Sequence, residues 1–170
     1  MSTLLGGDSP RETAIAWLFV LVQLALLAVI LLLPAGDAWV LPAWLSTVAR
    51  LTGLVGLVVL VLGAVGLGRS LTALPTPVPH GDLRTGGLYR FVRHPIYTGV
   101  LALSYGAALP SGSWAVVAAA LALTGWLAAK ARWEEQQLRR RYPGYDAYAA
   151  RTPRFVPGWP FGADRHHPAR

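Results

Sequence analysis

The chain has 170 residues, 54% of them apolar and only 14% charged, with a net charge of +7. That balance lies well off the soluble average and points to a membrane protein of about one domain. The absence of cysteine excludes disulfides, thiolate metal sites and a cysteine nucleophile. No metal site is expected. The basic residues flank apolar runs instead of forming a basic domain, so no nucleic-acid partner is expected either.

Four apolar stretches follow in chain order. Residues 14–33 contain Gln23 as their one strongly polar member and suffice for a crossing of about 30 Å. The small residues at 35–38 resemble a signal-peptide cleavage site. The apolar core is longer than such peptides use, however, and Asp8 and Glu12 offset Arg11, so a retained helix is expected. Residues 51–67 are glycine-rich and short, and reach a full span when 44–49 are included, with Arg50 snorkelling to the interface. Gly53, Gly56, Gly63 and Gly66 set small residues on neighbouring faces, a pattern suited to close helix packing.

Residues 69–93 form a connection carrying Pro75, Pro77, Pro79 and His80, for which an extended, stiff path is expected. It is either a plain linker over the membrane surface or a substrate-facing loop. Residues 96–109 and 114–129 are shorter apolar runs separated by Pro-Ser-Gly-Ser, and read as a tight helical hairpin. Whether that hairpin spans the bilayer fully is open.

Each end of the hairpin carries chemistry. Residues 88–99 read Leu-Tyr-Arg-Phe-Val-Arg-His-Pro-Ile-Tyr-Thr-Gly. Pro95 suits a first helical turn, which leaves His94 at the helix entrance beside a terminus of partial positive charge. Arg90 and Arg93 add full charges there. For Arg90, headgroup anchoring and function are both open, whereas anchoring alone requires neither His94 nor Tyr97. The last apolar run continues without a breaker to Tyr142 and carries Glu134 and Glu135 past its end. Glu135 can pair with Arg139 one turn on; Glu134 has no such partner. Beyond it, Tyr145, Tyr148 and Arg151 recur at intervals of three in an aromatic tail, for which a helix lying on the membrane surface is expected. Residues 158–170 are expected to be disordered.

Charge sets the orientation. The connections 34–43 and 110–113 hold no Lys or Arg, residues 69–93 hold four arginines, and nine basic residues follow from Lys130 onward. Both termini and the central connection are therefore expected on the cytoplasmic side. The resulting expectation is an all-α polytopic membrane protein of about four transmembrane helices, with a C-terminal hairpin and a cytoplasmic amphipathic tail. Residues 1–68 would be the plain half and 69–157 the half bearing the site.

The order and spacing of the two motifs, joined by the hairpin, resemble the integral-membrane methyltransferases that include isoprenylcysteine carboxyl methyltransferase and the phospholipid N-methyltransferases. The resemblance covers roughly residues 84–157. It implies S-adenosylmethionine as cofactor and a lipophilic or membrane-associated acceptor; the Ala/Leu/Arg-rich composition separately suggests a bacterial inner membrane. Cofactor contacts would fall on Tyr89, Arg93, His94, Pro95, Tyr97, Gly99, Glu134, Glu135 and Tyr148. Arg151 would lie near the acceptor, with Arg93 as a second catalytic candidate. One departure is Pro143, where many relatives have glycine. Two other classes fit the residues more loosely. A membrane reductase would need a basic pocket for the NADPH phosphate, and a small transporter or scaffold would place ionisable groups at mid-bilayer.

Overall fold

The computed structural model describes residues 10–68 and 83–158. Residues 69–82 of the connection, with Pro75, Pro77, Pro79 and His80, and most of the terminal segment expected to be disordered lie outside those residues. Five α-helices are present, and no strand occurs among the described residues: α1 (Pro10–Leu32), α2 (Ala43–Leu67), α3 (Pro95–Ala108), α4 (Trp114–Arg141) and α5 (Tyr145–Arg151).

Three helices, α1, α2 and α4, are long and apolar enough to cross a membrane. α3 is not, because 14 residues reach only about 21 Å. It starts at Pro95, once the polar turn before it is complete, and stops where Leu109–Ser111 tightens into a 3-10 turn. The apolar exterior is inverted relative to a protein in water. Leu18, Leu21 and Leu24 on α1, and Leu54, Val58 and Val61 on α2, all point outward. A contiguous exposed surface of this kind suits lipid contact.

Inside, α2 and α3 meet through their glycines. A Cβ on Gly56 would sit 2.7 Å from the Gly99 carbonyl oxygen, and one on Gly106 would sit 2.6 Å from the Gly53 Cα. Backbones this close exchange dispersion over a continuous seam, which helices in lipid need because burial from water supplies nothing there. α4 packs with the period of an amphipathic helix, burying Val116, Ala119, Ala120, Leu123, Leu127 and Ala131 beside Ile30, Tyr97, Val100 and Ala108.

The two connections without Lys or Arg close one end of the bundle. The Gly36 N–H donates to the Ser111 carbonyl at 2.8 Å, and the Ala38 N–H to that of Gly112 at 3.0 Å. Trp39 Nε1 donates to the Leu109 carbonyl at 2.9 Å and its ring meets Trp114 edge-on. The motif-bearing ends of α3 and α4 lie at the other end. There the tail departs from the expected surface helix: α5 is only seven residues long, and Tyr145, Tyr148 and Ala149 are buried against Leu83, Leu138 and Tyr142. The three-residue spacing drifts around the helix, so Arg151 ends exposed while the two tyrosines pack inward.

Gly56→Leu is expected to lower stability by about 1–3 kcal/mol or more, since the backbones must separate to admit the side chain. Gly125 faces open space, so Gly125→Ala should leave the melting temperature in detergent unchanged or slightly raised. Thermal melts of the two variants check this.

Candidate active site

Glu135 occupies the centre of the charged end, with a fully buried side chain (0% exposed). Arg154 grips it with both arms of its guanidinium, Nε to Oε1 at 2.9 Å and a terminal nitrogen to Oε2 at 2.7 Å. The His94 Nε2 lies 3.1 Å from the same Oε1 and the Arg93 Nε 3.3 Å from it. A carboxylate buried in an apolar bundle is tolerable only when paired and hydrogen-bonded in this manner. The i to i+4 partner considered from the sequence turns elsewhere, with the Arg139 Nε on Asp146 at 3.0 Å.

Glu134, the adjacent residue, meets different surroundings. The Tyr97 hydroxyl donates to its Oε1, and the His94 Nδ1 lies 3.5 Å from Oε2. Its side chain keeps 16% of its surface open. His94 therefore bridges both carboxylates through opposite ring nitrogens, with its ring stacked parallel to Tyr97 at 5.3 Å. The two glutamates differ in kind: Glu135 is enclosed and clamped by guanidinium groups, whereas Glu134 sits at the edge of the cluster.

The local fold explains why these groups meet. Pro95 begins α3, so His94 precedes it in a non-helical conformation (φ −126°, ψ 64°) and turns its ring toward the end of α4. Residues 153–155 then lie along this entrance as a strap. The Arg93 N–H donates to the Pro153 carbonyl at 2.9 Å, the His94 N–H to that of Arg154 at 3.1 Å, and the Thr98 hydroxyl to that of Phe155 at 2.7 Å.

The remaining sequence candidates fall around this centre. The Arg93 side chain is 1% exposed and also donates to the Ala149 carbonyl at 3.2 Å. Tyr89 and Tyr148 form a buried relay: the Tyr148 hydroxyl donates to the Tyr89 carbonyl at 2.6 Å, and the Tyr89 hydroxyl to that of Gly63 at 3.2 Å. Both pin the turn before α3 to its neighbours. Burial pushes the Tyr148 hydroxyl up to about 12, partly offset by Arg93, and burial raises Tyr89 and Tyr145 as well. Gly99 lies in the α2–α3 seam, against Gly56 and Leu60. Arg151 stands exposed at the end of α5, while Arg154, three residues later, is the guanidinium that reaches Glu135.

Two further residues were not anticipated. Lys130 is buried, and its Nζ donates to the Gln23 Oε1 at 2.9 Å and lies 5.2 Å from the centroid of the Tyr97 ring. The available signals were that Lys130 stands one turn before Glu134 on the same helix face, and that Gln23 alone interrupts an apolar span.

A family model described as phospholipid methyltransferase matches residues 44–144, more than half of the chain. The chain belongs to the phospholipid methyltransferase family. Membership places it among methyltransferases and implies a methyl donor, and the three spanning helices accord with an integral membrane protein. The matched segment contains both motifs and the helices that carry them, but neither α1 nor the strap. No curated protein matches the chain.

Glu135→Gln is expected to cost about 3–5 kcal/mol, because Arg93 and Arg154 lose their buried counter-charge. Glu134→Gln, at the cluster's edge, should cost far less, and Arg151→Ala should stay within about 0.5 kcal/mol of the parent. Melting temperatures in one detergent rank the three. Alkaline pH supplies a separate check, since the fold favours the neutral Tyr148 hydroxyl. That stabilisation is complete below the ordinary tyrosine value near 10 and is lost as pH rises to about 12. Tyr148→Phe should remove part of this alkaline loss.

Proposed function

We propose that the protein transfers a methyl group from S-adenosylmethionine to a lipophilic or membrane-associated acceptor at the charged end of its bundle, on the cytoplasmic face of a bacterial inner membrane. Family membership supports the reaction class. The observation that carries the site assignment is the inequality of the two glutamates. Glu135 is committed to Arg93, His94 and Arg154, whereas Glu134 retains an open edge. A partly open carboxylate among hydrogen-bonding rings suits the α-ammonium group of an amino-acid-like cofactor. The donor set therefore fits S-adenosylmethionine.

When bound, that cofactor supplies a methyl group on a sulfonium, and its transfer is an in-line displacement that needs alignment in a dry site more than proton chemistry. The residues of the chain supply the alignment. Glu134 would hold the ammonium, with His94 and Tyr97 fixing that carboxylate in position. The N-terminus of α3, whose first residue is Pro95, offers partial positive charge for a cofactor carboxylate. Arg93 adds positive potential from behind while remaining on Glu135. Tyr89 and Tyr148 secure the wall of the site, and Gly99 lets α2 approach closely enough to close it. The strap at 153–155 shields the cluster from water. Arg151, exposed beside the strap, is placed to meet an acceptor from outside, and a carboxylate acceptor would be gripped in bidentate fashion without a general base. An amine or thiol acceptor would have to lose a proton first.

Calorimetry in detergent tests the reading. S-adenosylhomocysteine is expected to bind and NADPH not to bind. Glu134→Gln should weaken S-adenosylhomocysteine by at least about tenfold, the scale of one charged hydrogen bond, while the fold survives. Binding of NADPH in its place, or an unchanged affinity in Glu134→Gln, would overturn the assignment. Incubation with methyl-labelled S-adenosylmethionine and a lipid extract then identifies the species that gains the label.

A further inference from the structure

α1 lies outside the segment matched by the family model, yet it reaches the candidate site through one polar contact. The Lys130 ammonium is enclosed between α1, α3 and α4, its residue only 4% exposed. On the α1 side its Nζ donates to the Gln23 Oε1 at 2.9 Å. On the α3 side it stands over the Tyr97 ring at 5.2 Å from the centroid, a separation at which the ring face attracts a cation. Along α4 it precedes Glu134 by one turn. Tyr97 in turn donates its hydroxyl to Glu134. Gln23, Lys130, Tyr97 and Glu134 thus form one connected line from α1 to the open edge of the cluster.

Packing does not require this line. The same two helices already lock together through Phe19, whose ring meets Trp126 at 5.1 Å and Trp133 at 6.0 Å, and whose carbonyl accepts from the Trp126 Nε1 at 3.0 Å. Burying an ammonium where an apolar side chain would pack costs free energy unless the charge serves something nearby. Among the described residues, His94, Tyr97, Tyr89, Glu135 and Lys130 are the titratable groups that face Glu134. Arg93 and Arg154 balance Glu135, and among the described residues Lys130 is the lysine that stands on the Glu134 side of the cluster.

We propose that Lys130, held by Gln23, is a positioning residue for the methyl donor: it braces the Tyr97 ring and supplies counter-charge to Glu134, so that the carboxylate presents one geometry to the cofactor's ammonium. The proposal rests on the reading of Glu134 given above. It makes α1 part of the working site and gives the single polar residue of its span a purpose.

Affinity for S-adenosylhomocysteine tests it on the full chain in detergent, using Lys130→Met, Lys130→Arg, Gln23→Leu and Glu134→Gln. Lys130→Met keeps length and apolar volume, and is expected to weaken binding about tenfold with the melting temperature retained, given the strength of a nearby charge in a partly buried site. Lys130→Arg should restore affinity to within a few-fold of the parent. Gln23→Leu, which leaves Lys130 itself in place, should weaken binding several-fold. Under turnover, Lys130→Met should raise the KM for S-adenosylmethionine more than it lowers kcat. Unchanged affinity in both Lys130→Met and Gln23→Leu overturns the proposal, and failure of Lys130→Arg to restore binding assigns Lys130 to packing and overturns it as well. Loss of binding in Glu134→Gln alone sinks this inference and leaves the proposed function standing, whereas intact binding in Glu134→Gln removes the reading on which both depend.

Discussion

The arrangement of the charged end depends on the neutralisation of one buried carboxylate. Glu135 projects from the end of α4 into the protein interior, fully buried, and three positive or proton-donating groups from two other segments converge on it. Arg93 and His94 come from the entrance of α3, and Arg154 from the strap. Backbone hydrogen bonds lay the strap along the entrance of α3, and the charge of Glu135 ties both to the end of α4. Separating them would leave ions unpaired in a low-dielectric interior, a penalty of several kcal/mol. The hairpin's entrance, its exit and the tail are therefore held as one unit, and Glu134 is carried along in a defined position at the rim.

The apolar part of the molecule has a different organising force. Lipid offers no hydrophobic gain for helix association, so α2 and α3 come together through glycines that permit backbone contact. That seam keeps the short α3 in place although it cannot span a bilayer alone, and so it fixes the depth of Pro95 and His94. At the opposite end, backbone hydrogen bonds between the two connections close the bundle. The described buried ion pairs thus gather at one end, from which a polar line runs inward through Tyr97 and Lys130 to Gln23.

Much of this was legible in the sequence because it follows from local pattern. The apolar runs gave the helices, the recurrent glycines gave the close packing, and the basic connections implied that both motifs share an end. Pro95 after His94 marked the start of α3 to the residue. The division of labour between Glu134 and Glu135 was not legible, since it depends on the rotation of α4 and on where a strap some twenty residues later comes to rest. Arg151 and Arg154 illustrate the difficulty: both follow the same aromatic tail, but only the chain's reversal after α5 decides which guanidinium reaches the cluster. The Gln23–Lys130 contact joins residues 107 positions apart, and no local pattern encodes such a pairing. The tail suggested a surface helix because Tyr145 and Tyr148 suit a headgroup region, yet their rings pack equally well in the interior, where the Tyr148 hydroxyl meets the Tyr89 carbonyl.

A structure determined with bound S-adenosylhomocysteine bears most directly on the central claim. The account predicts the ligand's ammonium against the Glu134 carboxylate, with Glu135 still enclosed by Arg93, His94 and Arg154. A ligand seated elsewhere in the protein, or one whose ammonium displaces those cations to take Glu135, would contradict it.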